Sequence, residues 1–97
     1  MIRHTVMFTL KHEPGSDEEK AFMKEALTLQ EIWTVQKFER LKQCSPKCDH
    51  QFGFSMEFAD EAAYQTYNDH PNHTKFVNER WIPEVASFQE IDYVVYE

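Results

Sequence analysis

The sequence predicts an α+β domain of element order β-α-β-β-α-β, in which one antiparallel four-stranded sheet carries its helices on one face. Three observations lead to that class. The stretches "IRHTVMFTL" (2–10) and "FGFSMEF" (52–58) alternate apolar and polar residues with a period of two. Capped segments with helical apolar spacing fall between strand-like segments. The helical segments also flank a pair of adjacent strands.

Each element has a local cause. In 2–10, Ile2, His4, Val6, Phe8 and Leu10 share one face and Arg3, Thr5, Met7 and Thr9 the other, the pattern of a half-buried strand. "HEPGS" is turn chemistry, and Ser16 with Glu19 forms a capping box that opens the first helix. Phe22, Met23, Ala26 and Leu27 then make one apolar stripe. "VQKFERLKQC" (35–44) is the least regular segment and is assigned as a strand because it is short and lies between a helix and the loop "SPKCDHQ". Phe52, Phe54, Met56 and Phe58 face one way in the third strand. Asp60 is a good N-cap for a helix over 61–69, which stops because His70, preceding Pro71, is pushed out of helical geometry. Pro71 suits the first turn of a further helix to about Val85, bent or broken before Pro83. "SFQEIDYVVY", within 87–96, is the closing strand. This is the ferredoxin-like order. One face of its sheet is bare, with Thr5, Met7, Thr9, Ser55, Val94 and Tyr96 expected there.

Ninety-seven residues, 41% hydrophobic and 14% aromatic, allow one domain over 1–97 with a modest core, so pairing with a second copy is favourable. A net charge of −7 with scattered Lys and Arg argues against a nucleic-acid or anionic-membrane partner. No apolar run approaches a membrane span and the N-terminus makes a poor signal peptide, so a cytoplasmic location is expected. Cys44 and Cys48 are too few for a disulfide framework and are read as reduced thiols; "CSPKCDH" could otherwise gather soft-metal ligands.

"TYNDHPNHTKF" (66–76) holds the candidate chemistry. Tyr67 lies on the face of Ala63 and His73 on that of Phe76 and Val77, so both point toward the sheet, where His4 joins them. If that layer holds a cavity, His73 is the natural proton acceptor near neutral pH and Tyr67 a donor to a developing oxyanion. Val6, Phe8, Phe22, Phe54 and Phe76, with His4, would wall a pocket for an aromatic or acyl substrate. Each residue also has a purely structural reading: His4 as a bonded core histidine, Tyr67 as an amphipathic helix residue, His70 as a cap. A metal on His70 and His73 lacks an evident third ligand, and no motif implies a cofactor.

"MIRHTVMFTLK", "FGFSMEF", "YNDHPNHTKFV" and "IDYVVYE" together resemble the stress-responsive A/B barrel domain family, called Dabb, across essentially the whole chain. The H-P-x-H piece is the most specific. The resemblance implies a ferredoxin-like protomer that pairs with a second copy into a dimeric α/β barrel. It also implies that Tyr67 and His73 match the acid–base pair of plant polyketide cyclases and His4 their first-strand pocket histidine. A third-strand pocket histidine of those relatives is replaced here by Phe52. The leading expectation is a homodimer with cofactor-independent cyclase, isomerase or lyase chemistry. The alternatives are a non-catalytic binding or structural module and, third, a cofactor-independent monooxygenase.

Overall fold

Strand β1 (Ile2–Leu10) lies inside the sheet, paired antiparallel with β3 (Phe52–Phe58) on one side and β4 (Val85–Tyr93) on the other; β2 (Gln36–Lys42) extends the sheet beyond β3. The computed structural model describes residues 1–97. The strand order β2-β3-β1-β4 gives the ferredoxin-like sheet expected from the element order. Pairing sets three rows across the helix-facing side: Met56–His4–Asp92, Phe54–Val6–Glu90 and Phe52–Phe8–Phe88. In β2 the register shifts between Gln36 and Glu39, where Lys37 takes a positive φ of 50°. This is a bulge on the edge strand, and it accounts for the weak alternation of that segment.

Helix α1 (Asp17–Glu25) begins where the Ser16 hydroxyl accepts from the Glu19 N–H at 3.2 Å. The Glu19 carboxylate reaches back to the N–H of Gly15, whose φ of 80° makes the turn. A 3-10 segment, Ala26–Glu31, continues α1 and keeps Ala26 and Leu29 on the sheet. Helix α2 (Glu61–Asp69) has the bounds expected from its local signals: Asp60 accepts from the Ala63 N–H at 2.8 Å, and His70 is extended ahead of Pro71. His70 then caps α3 (Pro71–Phe76), its Nδ1 accepting from the Asn72 N–H at 3.1 Å. The chain stays helical through a π turn, Val77–Trp81, into the short α4 (Ile82–Glu84). The wider turn precedes Pro83, which has no N–H to donate and whose ring crowds the carbonyl four residues back.

The helices cover one sheet face. Phe8, Phe22 and Phe58 are fully buried, and Phe8 packs on Phe22, Phe52, Phe54 and Trp81 with ring centroids 4.7–5.8 Å apart. The opposite face, with Thr5, Met7, Thr9 and Ser55, carries no helix. Strand β4 ends at Tyr93, earlier than the sequence pattern suggested, so Val94 and Tyr96 lie beyond the sheet as exposed residues. No helix is long and apolar enough to cross a membrane.

Candidate functional site

Between the sheet and the segments from α2 to α4 lies a cavity of about 350 Å³. The break between α2 and α3 shapes its polar side. Because α2 stops ahead of Pro71, its last turn has carbonyls without helical partners. That of Asn68 accepts a hydrogen bond from His73 Nδ1 at 3.0 Å. A carbonyl oxygen only accepts, so the proton sits on Nδ1 and Nε2 carries a lone pair. No protein group occupies Nε2.

Burial lowers the His73 pKa from its ordinary 6.5, against the opposing pull of the Asn68 carbonyl; nearby His4 lowers it further and Glu90 raises it. The ring is therefore neutral at neutral pH. Tyr67 stacks obliquely on it, with centroids 4.4 Å apart. Only 3% of Tyr67 is exposed, yet its hydroxyl makes no hydrogen bond within the protein. Burial, and secondarily the charge of Glu90, push its pKa well above the phenol range, so it remains an O–H donor.

A second group stands beside this pair. His4 Nδ1 lies 2.6 Å from one Asp92 carboxylate oxygen and 2.7 Å from the Tyr64 hydroxyl, which itself donates to the other Asp92 oxygen at 3.0 Å. The short contact to a carboxylate puts the proton on Nδ1, and the Tyr64 proton then goes to Asp92. The result is a closed three-residue network. Burial, and then the bond to Asp92, raise the Tyr64 pKa. The His4–Asp92 contact follows from strand register, since the two residues face each other across β1 and β4.

Of the residues expected to form a site, His4, Val6, Phe54, Tyr67, His73 and Phe76 line the cavity. Phe8 and Phe22 do not. They share a face with the lining residues but lie farther along β1 and under α1, fully buried in the aromatic core. Phe52 pairs with Phe8 there, whereas Met56 stands opposite His4 and reaches the cavity. Tyr64, Asn68, Trp81, Phe88 and Glu90 line the wall without having been expected. Tyr64 sits one helical turn before Tyr67, and Phe88, Glu90 and Asp92 alternate along β4, so a faint signal was present in both.

A buried histidine also needs a partner, and only Asp92 and Tyr64 supply one to His4. No three His, Cys, Asp or Glu side chains converge as a metal cluster. Cys44 and Cys48 are free thiols. In chemical terms the cavity offers a protonated phenol and a neutral imidazole side by side among apolar walls. That is a donor to developing negative charge next to a proton acceptor.

Comparison with known proteins places the chain in a family. A Dabb protein of ferredoxin-like fold from Mesorhizobium loti is 60% identical, with a TM-score of 0.97 over 99% of this chain and 97% of that one. The hydroxynitrile lyase of Passiflora edulis is 17% identical, with a TM-score of 0.85 over 99% and 94%. A dimeric ferredoxin-like protein of unknown function from Thermobifida fusca is also 17% identical, with a TM-score of 0.81 over 97% and 90%. At 17% these two likenesses concern the fold alone. No protein of curated function matches the sequence. The family model described as the stress responsive A/B barrel domain matches residues 2–95, and the chain belongs to that family, Dabb.

Proposed function

We propose that the protein is a homodimeric, cofactor-independent acid–base catalyst of the cyclase, isomerase or lyase kind, acting on a small aromatic or acyl molecule held in the cavity. His73 Nε2 takes a carbon-bound or hydroxyl proton, and the Tyr67 hydroxyl donates to the oxygen that gains charge. His4, Val6, Phe54 and Phe76 hold the substrate. The observation that carries the reading is the hydroxyl of the buried Tyr67, which has no protein partner and opens on the cavity, set against a neutral imidazole whose Nε2 is free. Core tyrosines ordinarily bond their hydroxyls, so an unbonded one facing a cavity fits a donor reserved for a ligand.

The fold is also that of a hydroxynitrile lyase, which makes lyase chemistry feasible on this scaffold. The helix-free sheet face and a dimeric relative support pairing of two protomers, and sedimentation at twice the 11.6 kDa chain mass is expected. The free thiols fit a cytoplasmic setting. A non-catalytic binding module is the rival, favoured by the His4–Asp92–Tyr64 network, whose bonds are all satisfied internally.

Deuterium incorporation at the α-carbon of a panel of aryl ketones and aryl thioesters in D2O tests the proposal. Exchange above the buffer rate that His73→Gln removes, with the fold intact by circular dichroism, is the expected result. Probes that bind without exchanging would assign the rival. Exchange unchanged in His73→Gln would remove His73 from the mechanism.

A further inference from the structure

The cavity is polarised in one electrical sense. None of the ten Lys and Arg residues lines it. The one carboxylate on its wall is Glu90, which the β1–β4 register places on the helix-facing side beside Val6, two residues from Phe88 and two from Asp92. Asp92 is occupied by His4 and Tyr64. The Glu90 carboxylate has no hydrogen bond or ion pair within the protein.

Two other carboxylates, on β3 and α4, are neutralised by cations. Glu57 lies within ion-pair distance of both Arg3 and Lys37, and Glu84 is paired with Arg80 and His12. Glu90 is exposed at the rim but electrically coupled to the cavity, because its charge raises the pKa values of Tyr64, Tyr67 and His73 alike. Beside it, Trp81 and Phe88 meet edge to face at 5.4 Å, and both line the cavity with Tyr67. Aromatic faces next to an unpaired carboxylate favour a cation over an anion, through ring quadrupoles and through direct charge.

We propose that the cavity selects small aromatic molecules carrying a protonated amine, with Glu90 as the counter-charge and the Trp81–Phe88 pair contacting the cationic end. The inference rests on the reading of the cavity as a small-molecule site and narrows its substrate class. Anionic ligands, including carboxylates and phosphate-bearing acyl carriers, are disfavoured by the unpaired carboxylate and the lack of a lining cation. A substrate ammonium would offset the charge of Glu90 while His73 removes a proton elsewhere on the molecule.

Three probes of matched size test this: 2-phenylethylammonium, 2-phenylethanol and phenylacetate, titrated at neutral pH and low salt while the His73 ring signals are followed by NMR. The amine should bind at least about threefold more tightly than the alcohol, as expected for an ion pair at a cavity rim beside aromatic rings, with the acid weakest. Glu90→Gln, a change at an exposed position of an edge strand that leaves the core untouched, should equalise amine and alcohol. Equal binding of all three, or an amine preference that survives Glu90→Gln, overturns the selectivity and leaves the acid–base reading standing if ketone exchange is observed. Failure of all three to bind overturns the selectivity, and absence of ketone exchange besides overturns the acid–base reading with it.

Discussion

Replacing Tyr67 by phenylalanine separates a functional hydroxyl from a structural one, because the two roles predict opposite effects on stability. The phenol is 3% exposed and its hydroxyl has no partner in the protein. A phenylalanine ring at this position would fill the same space and lose no intramolecular bond. A buried polar group without a partner costs about 1–3 kcal/mol, and this one faces a cavity, so the gain should be at the low end or nil. At about 4–8 °C per kcal/mol for a domain of this size, the Tm should hold or rise by a few degrees.

Tyr64→Phe is the comparator. It loses bonds to His4 and Asp92, and because the Asp92 side chain is 42% exposed the loss should be about 1 kcal/mol, not the full value of a buried charged bond. Its Tm should therefore fall by about 4–8 °C. Thermal denaturation of both variants at neutral pH, read beside deuterium exchange, makes the comparison. Tyr67→Phe should lose about 100-fold to 1,000-fold in turnover, the usual effect of removing an oxyanion donor. A Tm for Tyr67→Phe that drops as far as that of Tyr64→Phe, or exchange that persists at the wild-type rate, would refute the assignment of its hydroxyl to a ligand.

Other perturbations have equally definite outcomes. Burial depresses the folded pKa of His73 below its unfolded value of 6.5, so the unfolded chain binds the extra proton first. Its stabilising contribution is complete above that value and is lost as pH falls through the window down to the folded pKa; urea unfolding across that range should show the decline, and His73→Gln should flatten it. The same shift places the acid limb of kcat/KM below 6.5, with activity rising to a plateau toward neutral pH. Phe8→Ala should cost about 3–5 kcal/mol in urea denaturation, since Phe8 is fully buried among four aromatic rings. The Thr34 hydroxyl is buried with no partner, so Thr34→Val should raise stability by about 1 kcal/mol; a decrease would reveal a bond to that oxygen.

Local chemistry made most of the fold legible. Asp60 at one end and His70-Pro71 at the other delimit α2 at Glu61–Asp69, because a cap and a pre-proline residue act within a few bonds of the helix end they define. The alternation in β1 and β3 set which residues face the helices, and that face contains His4, Val6 and Phe54. Helical spacing turned Tyr67 and His73 toward the sheet, but packing decided that a cavity lies between them and it. Depth along the strand was another matter. Phe8 and Val6 carry the same periodic signal, but only Val6 reaches the cavity, since α1 covers the Phe8 end.

The His4–Asp92–Tyr64 network was beyond sequence reasoning for a different reason. Its ends are 88 residues apart, and which strand lies beside β1, and in what register, depends on the whole sheet assembling. A shift of one residue would turn Asp92 and Glu90 to the opposite face. The chain's own residues therefore specify the elements, their caps and their faces, because those are set by neighbours in sequence. Which polar groups find partners, and that the Tyr67 hydroxyl and the rim carboxylate of Glu90 are left without one, is set by assembly: strand pairing and helix packing alone bring distant side chains within hydrogen-bonding reach.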